Sequence, residues 1–405
     1  MAEHDATDIA WDPATAWTDL RADRVDGAGP VYADLLSRCP VAHIPAAGIG
    51  PGATTDYWAI LGHDEIALAA RNHKAFSNVT PTQGPRILPL QSDPPEHAGY
   101  RRMMNPFFSA EQVGRLEPEV RRDAGAMIDA MIAAGTADFA QEFAFPFPTR
   151  TLCHFLQVPD EDWPIHHDWV MAMEAATGDG LLDPDQAVPA ELAGAIIPYV
   201  QKVIERRRAH PGDDVVSGIM AAEIGGEPLD DMAVTFLIIT VMLAGHITTT
   251  SATGNLVLRL ARDPELQARL RADPSRIPDA IEECLRIDAP QQAMPRRCLV
   301  DTTVGGHTIP AGDRVLLNWG SANLDPAHWA RPETFDLDRA DQRHLAFGRG
   351  VHQCIGAALA RMELRVTAEE LLARTASFAL DGPVRRTAWP RMSVEALPLA
   401  LSARA

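Results

Sequence analysis

The chain has 405 residues, of which 46% are hydrophobic and 22% charged, so it is long and apolar enough to bury a large core and does not resemble a disordered chain. Its 36 Lys and Arg against 55 Asp and Glu give a net charge of -19, which excludes a general nucleic-acid binder that works by neutralising phosphates. Five scattered cysteines, Cys39, Cys153, Cys284, Cys298 and Cys354, with no C-x-x-C spacing, exclude a disulfide framework and a zinc ribbon and point to a reducing, cytoplasmic setting.

The first 20 residues carry acids, Trp11 and Trp17, but no basic stretch followed by an apolar run. They read as part of a surface arm spanning residues 1–30 rather than as a signal peptide. Residues 56–61 suit a strand, and Gly62 leads into a helix beginning near His63. From Ala110 to about Gln201 the apolar spacing is helical, broken by Pro146, Pro148 and Pro159 and by a Gly/Asp/Pro-rich stretch at 178–189 that reads as a mobile lid. Asp230-Asp231 and Asp263-Pro264 then bracket a helix of about 30 residues, roughly 45 Å long. Its apolar portion, 233–245, is interrupted by Thr235 and Thr240 and falls short of the roughly 20 residues a bilayer requires. A buried core helix without membrane insertion is the expectation.

A further helix is expected at 280–287. Residues 298–318 alternate like strands around Gly305-Gly306 and Pro310-Ala311-Gly312, and 325–343 show little periodicity. A final helix at 355–373 precedes a β-like tail at 392–401. No repeat, low-complexity block or Gly/Ser linker divides the chain. The expected architecture is one domain, 1–405, mainly α with small β-sheets (α+β) and a long central helix.

The stretch richest in chemistry is Phe347-Gly348-Arg349-Gly350-Val351-His352-Gln353-Cys354-Ile355-Gly356. Gly348 and Gly350 permit a sharp turn, and the start of the following helix favours a negatively charged sulfur at Cys354. Gly356 removes a side chain where a flat cofactor would lie. A lone cysteine beside a loop is ordinarily just a small buried residue. The full pattern F-G-x-G-x-H-x-C-x-G is another matter, because it resembles the haem-binding loop of the cytochrome P-450 monooxygenases at every fixed position, and the resemblance extends from about Tyr57 to the C-terminus.

That resemblance implies the cytochrome P-450 fold, haem b held by the Cys354 thiolate with Phe347, Gly348 and Gly356 around it, and O2 as co-substrate. It also assigns roles elsewhere. Glu283 and Arg286, spaced E-x-x-R on one helical face, would brace the haem loop together with Arg339. His97 and Arg101, in Asp93-Pro94-Pro95-Glu96-His97-Ala98-Gly99-Tyr100-Arg101, resemble the family's D-P-P-x-H-x-x-x-R stretch and would neutralise haem propionates. Arg296 and His352 would join them, with Arg297 in place of Arg296 should the register shift by one. Ala244-Gly245-His246-Ile247-Thr248-Thr249 resembles the oxygen-binding segment A-G-x-[D/E]-T-T: Ala244 and Gly245 would make room for dioxygen, and Thr248, with Thr249 beside it, would route protons.

One position departs. Ile247 stands where the family usually carries Asp or Glu, so protons would arrive through Thr248 and solvent, through His246, or inefficiently with release of peroxide. No flavin or iron–sulfur motif is present, and only about 50 residues follow Cys354, so electrons from NAD(P)H would come through a separate ferredoxin and its reductase. Arg101, Arg102, Arg343 and Arg349 would offer the docking surface. A pocket for a small apolar organic substrate is expected among residues 79–90, 178–189, 242–245 with Leu243, 292–294 with Ala293 and Met294, and the tail near Trp389 and Met392, in a monomer that binds no nucleic acid. A peroxide-driven peroxygenase and a catalytically idle haem-binding sensor are the alternatives. The second would not need Ala244, Gly245 and Thr248, and a zinc protein would need a second ligand pair beside His352 and Cys354.

Overall fold

Two aspartates set the ends of the longest helix. In a computed structural model that describes residues 29–44, 56–80, 86–177, 190–387 and 389–404, the Asp230 carboxylate accepts the Ala233 N–H at 2.7 Å and starts a helix running Asp231–Arg262. Asp263 ends it and, with its carboxylate on the Leu266 N–H at 2.9 Å and Pro264 in the first position, starts the next helix, Pro264–Ala272. The 32-residue helix is about 48 Å long. By length and composition alone it could cross a bilayer, yet most of its residues are buried against protein. The arm expected at the N-terminus, up to residue 28, and the lid expected at 178–189 lie outside the described residues.

In chain order, the helices that position the site are α1 (Gly29–Arg38), α2 (His63–Arg71), α3 (Glu96–Met104), α4 (Glu117–Ala134), α5 (Pro146–Leu156), α6 (Trp163–Thr177), α7 (Asp231–Arg262), α8 (Ile277–Ile287), α9 (Trp319–Asn323) and α10 (Ala357–Arg374). The main core gathers Leu237, Ile238, Val241 and Met242 of α7 with Phe143, Phe147, Leu152 and Ile128, and with Leu364 and Leu371 of α10. These are the apolar positions that recur at helical spacing, and burying them is what holds short helices together.

The main sheet contains β1 (Val41–Ile44), β2 (Tyr57–Ile60), β3 (Phe76–Ser77), β5 (Ala293–Cys298) and β8 (Arg314–Asn318), in the order β1-β2-β8-β5-β3. Among the described residues only β2 and β8 pair in parallel, with Leu316 beside Ala59 and Leu317 beside Ile60. Side chains alternate across it: Tyr57, Ala59, Ala293 and Leu316 pack with Tyr32, Leu35 and Trp389 on one face, whereas Ile60, Val315 and Leu317 pack with Ile66, Phe76 and Trp319 on the other. A hairpin of β6 (Thr302–Val304) and β7 (His307–Ile309) turns at Gly305 and Gly306, both with positive φ. The tail forms β10 (Pro398–Ala403) between β9 (Thr375–Leu380) and β4 (Thr136–Asp138). Helices thus dominate and small sheets lie at the edge, as expected of the α+β class.

Candidate active site

The loop that ends at Cys354 is closed by the Cys354 N–H donating to the Phe347 carbonyl at 2.8 Å. Gly348 and Gly350 have φ of 66° and 79°, a region that side-chain-bearing residues avoid. They differ in what surrounds them. A methyl on Gly350 would overlap the Ala70 carbonyl oxygen of α2, whereas one on Gly348 would meet nothing closer than Trp319 at 3.8 Å. Gly348→Ala is therefore expected to cost about 1–2 kcal/mol, and Gly350→Ala to exceed it by a further ~1–3 kcal/mol of overpacking. Paired thermal melts of the two variants check the order.

Beyond the loop the Cys354 sulfur is open. Burial of its other sides pushes the thiol up, and the Gly356 N–H and the Arg101 and Arg361 guanidiniums oppose that. A Cβ on Gly356 would sit 3.9 Å from the sulfur. Here is a sulfur that a coordinated cation would deprotonate outright.

Beside it, His97, Arg101, Arg296 and His352 converge. The His97 and His352 rings lie 3.9 Å apart, and burial together with facing His97, Arg296 and Arg101 holds His352 well below its ordinary range. His352 Nε2 is buried without a partner. Arg296 is 5% exposed and donates from Nη1 to the Pro295 carbonyl at 2.7 Å, and burial lowers its pKa to about 10. The neighbouring Arg297 is exposed, so the register puts Arg296, and not Arg297, in the cluster. Arg101 donates to the Gln353 carbonyl at 2.9 Å. The nearby carboxylate of Asp93 is already engaged by the Ser77 hydroxyl and the Asn78 N–H. A buried guanidinium without a counter-charge costs several kcal/mol, so this cluster calls for an anion. An open thiol beside two guanidiniums and two imidazoles, whose nearby carboxylate Asp93 is bound to Ser77 and Asn78, is the donor set that haem, with its iron and two propionates, would satisfy.

The brace behind the loop is fully formed. Glu283 and Arg286, both 1% exposed, pair at 2.8 Å, and Arg339 Nε reaches Glu283 Oε1 at 3.0 Å. Both guanidiniums sit over the Trp329 ring. Arg286 also donates to the Asn323 carbonyl at 2.7 Å, and the Asn323 amide oxygen accepts the Leu345 N–H at 2.6 Å, linking the brace to the loop's entry. A second arm was not apparent in the sequence: Glu282 accepts from Arg361 at 2.6 and 2.7 Å and contacts His344 at 3.2 Å. Arg361 in turn lies over the Phe347 ring at 4.4 Å. Glu282 precedes the E-x-x-R glutamate, and Arg361 lies two turns beyond Cys354, the only hints the sequence held.

On α7, Ala244 and Thr248 share one open face, and the Thr248 hydroxyl donates to the Ala244 carbonyl at 3.0 Å. Thr249 is buried and Ile247 packs against the main core. Two expectations need correction. Gly245 does not open space for dioxygen, because a Cβ there would meet Leu152 of α5 at 2.8 Å; its lack of a side chain lets two helices touch. His246 points away from that open face, fully buried, with Nε2 on the Phe145 carbonyl at 2.9 Å. Burial pushes its pKa down to about 3, and with Nε2 held on a backbone carbonyl it presents no proton to that face.

The pocket is also redrawn. Leu243 and Met294 are half-buried, but Ala293 and Trp389 are buried in the core on one face of the main sheet, and Met392 is buried with its carbonyl accepting from Asn255. Ala293 and Trp389 are packing residues. Val79 and Leu90 are exposed apolar side chains. Sequence reading missed Glu174 of α6 and Arg391, a largely buried pair at 2.9 Å that ties the tail to α6. Of the expected docking arginines, Arg101 turns inward and Arg343 pairs with Asp341 at 2.8 Å.

Comparison with known proteins agrees with this geometry. The family pattern described as Cytochrome P450 matches residues 185–380. The chain is 34% identical over 391 residues to Cytochrome P450 130 of Mycobacterium tuberculosis, covering 93% of this chain and 94% of that one. It is 32% identical over 354 residues to the Vitamin D(3) 25-hydroxylase of Pseudonocardia autotrophica, covering 87% and 82%. The crystal structure of CYP108D1 from Novosphingobium aromaticivorans superposes with a TM-score of 0.84 at 31% identity, over 98% of this chain and 100% of that chain.

Proposed function

The chain belongs to the cytochrome P450 family of haem-thiolate monooxygenases, and from that premise we propose that it inserts one atom of O2 into a C–H bond of a small apolar organic substrate, drawing electrons from NAD(P)H through a separate ferredoxin and its reductase. The observation that carries the reading is the open Cys354 sulfur next to the cluster of buried His97 and Arg296 with half-buried Arg101 and His352. We place it in the cytoplasm as a monomeric, single haem domain.

When bound, haem would supply the activation of oxygen, with electron density lent by a thiolate ligand. Cys354 would be that ligand: burial pushes its thiol up, and the bound iron, the Gly356 N–H and the Arg101 and Arg361 guanidiniums would together favour the thiolate. His97, Arg101, Arg296 and His352 would hold the propionates. Phe347, clamped by Arg361, and the Glu283–Arg286–Arg339 knot keep the loop from moving as electrons arrive. Arg102 and Arg349 form the face that meets an acidic electron donor.

On the open face of α7, Thr248 would hold and pass a proton. Its hydroxyl donates to the Ala244 carbonyl and would turn outward to donate into that face, while its lone pairs accept from water. Thr248→Ala is expected to cut product formed per NAD(P)H by about tenfold, the worth of one charge-assisted hydrogen bond, with matching release of hydrogen peroxide. Ile247→Glu should move both readings the other way; no change in either would show that position 247 is not where coupling is lost.

The function is tested by loading the protein with haem and comparing turnover of a spin-shifting compound with ferredoxin, reductase and NAD(P)H against turnover with hydrogen peroxide. Faster peroxide-driven turnover would assign the peroxygenase reaction instead, and no turnover either way the idle haem-binding protein.

A further inference from the structure

The first turn of α2 meets the turn after α9 through two histidines and an aspartate. His63, the first residue of α2, is 5% exposed; its N–H donates to Asp325 Oδ2 at 2.9 Å and its Nδ1 lies 3.0 Å from Asp64 Oδ1. Its Nε2 is buried without a partner, so half of its hydrogen-bonding capacity is unmet. His328 stacks on it, ring centroids 3.4 Å apart and planes 17° from parallel, and its Nδ1 lies 3.9 Å from the same Asp64 oxygen. One donor atom from each of the three side chains falls within 4.8 Å of the others. The Asp64 carboxyl is held below its usual range by the hydrogen bond from His63, so it offers a charged oxygen. Nothing in the haem chemistry uses this group.

We propose that His63, Asp64 and His328 form a binding site for a divalent transition metal of the zinc type, with solvent in the fourth position. Two nitrogens and a carboxylate suit zinc rather than magnesium or calcium, which prefer all-oxygen shells. At zinc bond lengths of about 2.0–2.1 Å, ligand atoms at tetrahedral angles sit roughly 3.3 Å apart. The His63–Asp64 separation already meets that spacing, and the His328–Asp64 separation must close by about 0.6 Å. Stacked imidazoles cannot both aim a lone pair at one ion, so His328 has to turn out of the stack. It is 27% exposed on a turn, and Asp64 is 89% exposed, which leaves room for the rotation and an open path for the ion. With a metal on Nδ1, the neutral His63 ring carries its proton on Nε2, the nitrogen left without a partner, so metal entry exchanges the tautomer with no net loss of a proton from the ring.

The location gives the site a consequence. The far end of α2 carries Ala70, whose carbonyl abuts Gly350 of the haem loop, and His328 adjoins Trp329, on which Arg286 and Arg339 lie. A metal there would clamp together the two supports of that loop.

The test uses the haem-loaded full-length protein, stripped with EDTA and titrated calorimetrically with ZnCl2, with MgCl2 as control, alongside His328→Ala and Asp64→Asn. The proposal expects one zinc per chain with a Kd in the micromolar range, no magnesium binding, a melting temperature raised by zinc, and at least about tenfold weaker zinc binding in each variant. Unchanged zinc affinity in the variants, or no zinc bound by the wild type at about 100 µM, overturns it. Should His328→Ala fail to fold, as judged by its ferric haem spectrum, the Asp64→Asn variant, altered only at an exposed carboxylate, decides alone.

Discussion

Cys354→Ser is expected to abolish the thiolate-type Soret position of the reduced carbon monoxide complex and to lower O2-dependent turnover by at least about 10³, equivalent to roughly 4 kcal/mol of transition-state stabilisation. The size follows from chemistry rather than packing. A serine oxygen is nearly isosteric but holds its proton far more tightly, so the axial electron density that assists O–O cleavage disappears. The fold should survive, because the sulfur faces open space and the loop is held by backbone groups, the Cys354 N–H to the Phe347 carbonyl among them. No other cysteine can stand in: Cys153, Cys284 and Cys298 are buried, and Cys39 donates to the Val41 carbonyl. The reduced carbon monoxide spectrum and haem content per chain, measured together, check it. A variant that kept the thiolate spectrum would remove Cys354 from the iron.

Glu283→Ala is expected to be the most destabilising single change in the brace, costing about 3–5 kcal/mol. Glu283 accepts from Arg286 Nε and Nη2 at 2.8 Å, from Arg339 Nε, and from the Asp336 N–H at 3.0 Å. Removing it leaves two guanidiniums, 1% and 8% exposed, facing each other without a counter-charge. The carbonyls that also hold them, those of Asn323, Pro332, Thr334 and Ala330, carry only partial charge. Denaturant melts and haem retention should both collapse. Arg286→Lys should be damaging as well, since one ammonium cannot reproduce a fork that engages a carboxylate and two carbonyls at once. Glu282→Ala, which frees the half-exposed Arg361 guanidinium and the buried His344 ring but leaves only one guanidinium unpaired, should cost less, and the difference between the two neighbouring glutamates measures how much of the brace is electrostatic.

Features written in local chemistry were readable from the chain. Asp230 and Asp263-Pro264 marked both ends of α7 because capping acts over three residues, and the Cys354 loop was visible because ten consecutive positions carry it. Arg339 was found through resemblance and pairs with Glu283, and Arg296, found the same way, lies buried facing His352. What could not be read depends on pairing across distance. Glu282 and Arg361 are 79 residues apart, and Glu174 and Arg391 more than 200, so nothing local announces either pair. What Gly245 and His246 face could not be read for a related reason. A helix of known sequence presents faces 100° apart, but which neighbour fills each face, here Leu152 against one and the Phe145 carbonyl against another, is a tertiary fact. Trp389 and Ala293 show the same limit: apolar side chains suit a pocket and a core equally well.

The parallel pairing of β2 with β8 joins residues 57–60 to residues 314–317, and that has a kinetic meaning. During synthesis at roughly 5–20 residues per second, the early strand waits on the order of ten seconds or more for its neighbour to emerge from the ribosome. Until then one edge of β2 and the apolar faces of Tyr57, Ala59 and Ile60 are unprotected, an invitation to chaperones or to self-association. Slower growth at reduced temperature, or surplus chaperone, should therefore raise the yield of native protein more than added haem precursor does.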